Sequence, residues 1–200
     1  MTNLENYIRN SEIPKRYLQD IQLRPAMEDV QVFSELNDIK LNIVEFVKRG
    51  NNLLIYSNRV GNGKTSWATK ILKQFINNVS DYRWLNNCPA LFINVQSFLE
   101  LKKSAITNKE NQIKVDELEK KLLTAPIVLF DDLGVKNFSQ YDIGTLYYWI
   151  DYRTSNLKSC IYTSNLSPSQ LRSVLDERLY SRIVNYSYLK EIKDGDSREC

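Results

Sequence analysis

The stretch "NLLIYSNRVGNGKTSWATK" constrains this chain more than any other. A short apolar run, a turn rich in asparagine and glycine, and a helix-forming segment follow one another without a gap. An apolar run of that length between polar flanks reads as a strand buried on both faces. A strand that hands over to a helix through a tight glycine loop is half of a βαβ unit, so its neighbours must run parallel to it. The rest of the chain repeats the pattern. "ALFINV" runs straight into "QSFLELKKS", and "NKENQIKVDELEKKLLTA" is a charged helix before "PIVLFDDLG". The aromatic helix "YDIGTLYYWIDYRTSN" then precedes "SCIYTSN", and "SPSQLRSVLDERLYSRIVN" leads to a last strand, "YSYLKEI". This alternation predicts an α/β fold, a three-layer αβα sandwich on a central parallel five-stranded sheet.

Residues 1–37 read as an N-terminal arm packing on the core, with a short helix or two broken by Pro14 and Pro25. Residues 38–200 read as the main domain. Its first element is a helical stripe of Ile39, Ile43, Val44, Phe46 and Val47, for which Gly50 is a natural stop. The face made by Tyr147, Tyr148, Trp149 and Tyr152 suits a helix that covers the sheet.

Composition narrows the chemistry. The chain has no histidine, so a Ser-His or Cys-His nucleophile pair and a histidine-held metal are excluded. Three cysteines, widely spaced, form neither a disulfide framework nor a zinc pattern, and imply a reducing cytoplasm. The first twenty residues are too polar for a signal peptide, and no apolar run approaches the roughly 18 residues of a membrane span. A net charge of +3 permits a basic face without demanding nucleic acid.

Four clusters stand out, three of them at strand ends, where ligands of open α/β sheets bind. The first is the loop Asn58, Val60, Gly61, Asn62, Gly63, Lys64, Thr65 and Ser66. Backbone N–H groups and a helix N-terminus can converge there on phosphate oxygens, with Lys64 reaching the outer phosphates and Thr65 offering its hydroxyl to Mg²⁺. Asn58 stands where such loops carry their first glycine, and asparagine enters left-handed conformations more easily than other side chains. The second is the pair Asp131 and Asp132. Asp131 can hold the metal's water shell beside Thr65, and Asp132 stands where a hydrolytic enzyme orients or deprotonates water. Aspartate is one methylene shorter than the usual glutamate, so slow turnover is expected. The third is "TSN" (163–165), whose Asn165 amide would lie between the other two strand tips. The fourth is Arg178 and Arg182, four apart on one helical face. Such a pair also suits a solvated face, whereas in an oligomeric ATPase one arginine projects to the neighbour's phosphates.

The combination resembles the AAA+ ATPases, and among them the DnaC/DnaI-type helicase loaders and the related IstB transposition ATPases. The matching stretches are "IPKRY" (13–17), "GNGKT" (61–65), "NVQSFLELKKS", "LFDDLG" (129–134), "TSN" (163–165), "ERLYSRI" (177–183) and "GDSR" (195–198). The resemblance implies ATP/ADP with Mg²⁺ as cofactors. It makes Asn165 the sensor-1 residue and Arg182 the arginine finger, with Arg178 its companion. It sets Ile13 and Tyr17 near the adenine. The helix at 96–104, with Phe98, Lys102 and Lys103, matches the insertion that lines a single-stranded DNA path, although the same residues also suit a core and a solvated face.

The implied function is a weak ATPase of replication initiation. It would assemble head to tail on single-stranded DNA and on a replicative DnaB-type helicase, in a bacterial cytoplasm or a phage-infected host. The chain departs from the loader pattern at Asn58, in stopping without a C-terminal helical lid, and in having about a dozen residues where loaders carry a helicase-gripping domain. Two other readings remain open: a non-catalytic nucleotide-binding regulator of a replication protein, and an IstB-like transposition helper.

Overall fold

In a computed structural model, which describes residues 2–19, 22–134 and 138–193, five strands form one sheet. They are β1 (Asn52–Tyr56), β2 (Ala90–Asn94), β3 (Ile127–Leu133), β4 (Ser159–Ser164) and β5 (Ser187–Glu191), all parallel, in the order β2-β3-β4-β1-β5. The helices are α1 (Asn3–Asn10), α2 (Val30–Leu41), α3 (Ile43–Lys48), α4 (Lys64–Asn78), α5 (Val95–Ser104), α6 (Lys109–Thr124), α7 (Gln140–Ser155), α8 (Pro168–Val174) and α9 (Glu177–Tyr180). A turn of π-helix, Ser181–Asn185, follows α9. The expected α/β fold is the observed one. The "GDSR" stretch lies outside the described residues.

Strand order explains the layers. The step from β1 to β2 moves one way along the sheet, and every later step moves back. Right-handed crossovers therefore place α4 on one face and α5 to α9 on the other. Period-two alternation in the strands feeds both faces. Leu53, Ile55, Phe92, Leu129 and Ile161 pack with α4 and with Tyr7, Ile13, Phe33 and Phe46. Leu54, Leu91, Ile93, Val128, Phe130 and Tyr162 pack with Phe98, Leu122, Leu146, Trp149 and Leu179. The arm is thus stitched into the α4 layer, and the Phe92 amide at the β2 edge donates to the Ser11 carbonyl at 2.7 Å. The sequence boundary at 37/38 falls inside α2.

Of the aromatic face of α7, Trp149 is core whereas Tyr148 is 61% exposed, because i and i+1 cannot share a helical face. Behind that helix the fully buried Arg153 donates to the carbonyls of Leu122, Ala125, Pro126 and Ser159 at 2.8–3.2 Å. It closes backbone groups at the end of α6 and at the starts of β3 and β4.

Gly50 does end the α3 segment, with φ +67°. A Cβ there would sit 2.7 Å from the Leu157 carbonyl oxygen, a backbone atom that cannot step aside. Gly50→Ala is expected to cost about 2–3 kcal/mol in urea unfolding, from left-handed strain plus the clash.

Candidate functional site

Because β3, β4 and β1 are consecutive in the sheet, their carboxyl ends open onto one crevice. The cavity there is lined by Arg16, Tyr17, Val60 to Ser66, Asp132 and Asn165. As the sequence reading required, Asn165 leaves β4 between the other two tips.

The loop after β1 is shaped from within. Gly61 and Gly63 take φ of +89° and +87°, the two places where a side chain would be strained. Asn58 is not in the left-handed region, is exposed and does not line the cavity, which corrects the expectation placed on it. The curl begins three residues later, so a glycine at 58 has no conformational task. The fully buried Asn62 braces the loop. Its Nδ2 donates to Ser57 Oγ and, at 3.2 Å, to the Ile192 carbonyl, while its Oδ1 accepts from Lys64 Nζ at 3.0 Å. Lys64 also donates to the Arg59 carbonyl at 2.8 Å. Burial lowers the Lys64 ammonium to about 8, against the raising pull of Asp132 and Asp131. A cation so poorly solvated is poised to be captured by an anion.

The carboxylate side rests on a feature that sequence did not predict. The β3–β4 register shifts between Phe130 and Leu133, so β3 carries one extra residue, and Asp132 takes φ +59°. In a straight strand Asp131 and Asp132 would point to opposite faces. The bulge re-aims Asp132 into the cavity while Asp131 stays 2% exposed beneath it. Thr163 pins the bulge: its hydroxyl donates to Asp131 Oδ1 at 2.7 Å and accepts from the Asp132 amide at 3.0 Å. Burial raises Asp131 to about 6, with the Thr163 bond opposing and the Asp132 charge adding to the rise. The Thr65 hydroxyl faces both Asp131 and Tyr17 and favours the charged form of each.

The donor set fits a nucleotide with magnesium. Two glycines leave backbone amides accessible to phosphate, Lys64 supplies charge, and Thr65 with Asp131 supplies two oxygens. Magnesium keeps several waters and takes phosphate oxygens, so two protein oxygens suffice. Among the described residues no cluster of three or more Asp, Glu, Cys or His forms an all-protein cage.

Other sequence candidates lie elsewhere. Ile13 is buried in the α4-side core and does not line the cavity, and Tyr17 stands at the Thr65 end of it. Neither Arg178 nor Arg182 lines the cavity. Arg182 pairs with Asp151 at 2.7 Å, whereas Arg178 is 72% exposed, pairs with Asp176 at 3.3 Å and lies 4.9 Å over the Tyr147 ring.

The stacking role expected of Phe98 on a DNA path is corrected. Phe98 is 3% exposed in the core between α5 and the sheet, so no base can stack on it. Lys102 pairs with Glu119 at 2.6 Å, and Lys103 pairs with Asp142, itself part of the Ser139 cap of α7. These lysines fasten α5 to its neighbours.

No family model matches this chain. It is 26% identical over 129 residues to the replicative helicase loader DnaC of Buchnera aphidicola subsp. Baizongia pistaciae (strain Bp), covering 64% of this chain. The chain spans about half the length of that curated relative, 49%. In structure it is similar to the DnaC helicase loader, with a TM-score of 0.69 and 24% identity over 90% of this chain and 100% of that one. It is likewise similar to DnaI, with a TM-score of 0.67 and 22% identity over 90% and 95%. These likenesses agree with the resemblance read from the motifs. The fold is the one that these two structures share.

Proposed function

We infer, for a chain related to the DnaC/DnaI-type helicase loaders and built on the AAA+ core, an ATP- and Mg²⁺-dependent switch with weak ATPase activity. One observation carries this reading. Lys64, Asp132 and Asn165 line one cavity from three adjacent strand ends, with Thr65 and Asp131 beside them. The loop amides and Lys64 hold the phosphates, and Thr65 and Asp131 hold the metal, which screens phosphate charge when bound. Asp132 accepts a proton from, or orients, the attacking water, and Asn165 fixes the terminal phosphate or that water. Slow turnover follows from the short reach of Asp132, and a switch needs only two states of different partner affinity.

Assembly would run head to tail, with an arginine of the α9 turn entering the neighbour's cavity. That neither Arg178 nor Arg182 lines its own cavity supports a role in trans. Their difference in exposure makes Arg178 the readier of the two, because its 3.3 Å pair with Asp176 is longer and more exposed than the 2.7 Å pair of Arg182 with Asp151. A replicative helicase and single-stranded DNA are the partners that likeness to a loader supports, in a bacterial cytoplasm. Among the described residues no helix is long and apolar enough to cross a membrane.

Hydrolysis measured with and without single-stranded DNA tests the reading. Asp132→Asn is expected to lower turnover about tenfold or more while leaving nucleotide affinity within a few-fold. Wild-type protein that binds ATP without hydrolysing it would move the assignment to a non-catalytic regulator. Failure to retain a DnaB-type helicase, together with preference for duplex DNA, would move it to a transposition helper.

A further inference from the structure

The cavity contains a cation that none of the motifs assigns. Arg16 belongs to a single 3₁₀ turn, Lys15–Tyr17, held at both ends. Ile13 anchors it in the core, the Tyr17 amide donates to the Pro14 carbonyl at 2.9 Å, and Lys73 of α4 donates to the Leu18 carbonyl at 3.1 Å. The turn therefore delivers Arg16 to the cavity wall from a fixed position. Its guanidinium lies 4.5 Å over the Tyr17 ring, which in turn stacks on Phe92 of β2 with centroids 6.3 Å apart. Among the described residues Arg16 forms no ion pair, although it lies close enough to Asp131 to favour that carboxylate's charged form.

Parking on the half-buried Tyr17 ring is worth on the order of 1 kcal/mol, less than a forked, charge-assisted bond to phosphate. A phosphate placed within reach would therefore take Arg16 from Tyr17. Position selects which phosphate. Tyr17 feels Asp131 and Asp132 and lies beside Thr65, so this turn borders the metal and carboxylate end of the cavity. Asp132 acts at the terminal phosphate in the reading above, so the turn borders the end that a triphosphate fills and a diphosphate leaves empty.

We propose that Arg16 reads the terminal phosphate of a nucleoside triphosphate in cis, leaving the Tyr17 ring to grip it, so that the N-terminal arm distinguishes triphosphate from diphosphate. This rests on the reading of the 58–66 loop as a nucleotide site. Nucleotide state is thereby coupled to a turn that follows α1 in the N-terminal arm.

Calorimetric titration of the full chain with magnesium and either ADP or a β,γ-methylene ATP analogue tests this. Arg16→Ala is expected to weaken the analogue about tenfold or more while holding ADP within about twofold, with Arg16→Lys between, since lysine keeps the charge and loses the fork. Arg16 is exposed, so its removal opens no cavity, and an unchanged melting curve checks the fold. Equal weakening of both nucleotides, or of neither, by Arg16→Ala overturns the proposal while leaving the loop assignment standing. Wild-type protein that binds neither nucleotide overturns the loop assignment, and the proposal with it.

Discussion

Lys64→Ala is expected to lower affinity for both ATP and ADP by about a thousandfold, roughly 4 kcal/mol, in calorimetric titration. The size follows from what the ammonium does before ligand arrives. It is buried, bonded to the Arg59 carbonyl and Asn62 Oδ1, and held at about 8 by desolvation. Phosphate oxygens would replace those neutral acceptors with charged ones in a poorly hydrated site, where such bonds are strongest. The empty protein should change little. Below pH 8 the folded state keeps this lysine charged at a cost that the unfolded chain does not bear. As pH rises from about 8 to 10.5 the folded state loses that proton first, and the cost disappears. Alanine removes the cost along with two hydrogen bonds, so the ligand-free melting temperature should stay within about 5 °C. A variant that retained tight nucleotide binding would sink the assignment of the loop. One that failed to fold would show that Lys64 is chiefly a brace.

Strands and their alternation with helices were legible because each strand is a short apolar run next to a turn signal, and the layers followed from βαβ handedness. Local motifs were legible for the same reason: the residues from Gly61 to Thr65 are contiguous. What escaped depends on pairing between distant segments. The Asp132 bulge is a register event between β3 and β4, invisible in "LFDDLG", and Thr163, which pins it, reads as ordinary turn chemistry in "TSN". Arg16 sits in a motif credited only through Ile13 and Tyr17. Its turn reaches the cavity because the arm packs on α4. Phe98 misled because an amphipathic helix presents the same residues to a core as to a ligand, and only the partners of Lys102 and Lys103 decide between them. Asn58 misled differently, since the family position suggests a left-handed residue that this loop does not need.

Asp131→Asn should separate folding from function by moving them in opposite directions. The carboxyl is 2% exposed, and burial raises it from 3.8 to about 6. Between those values the folded state holds a proton that the unfolded chain has released, so stability falls as pH rises through the window. Above about 6 the folded protein carries the whole penalty of a buried charge beside Asp132. Asparagine keeps an oxygen to accept the Thr163 hydroxyl and removes the charge. Ligand-free Asp131→Asn is therefore expected to be more stable than wild type at pH 7.5 by on the order of 2 kcal/mol, a rise of roughly 4–8 °C in melting temperature, and to match it near pH 4. In the same protein the magnesium-dependent part of nucleotide affinity should fall about a hundredfold, because a neutral amide is a poor ligand for a hard cation. Wild-type affinity should itself decline below pH 6 as Asp131 takes up its proton, and the variant's should not. A stabilised variant with undiminished magnesium dependence would show that the buried carboxylate serves the bulge alone. Destabilisation at neutral pH would show that the charge, held by Thr163 and Thr65 in the field of Arg16, is favourable even in the empty cavity.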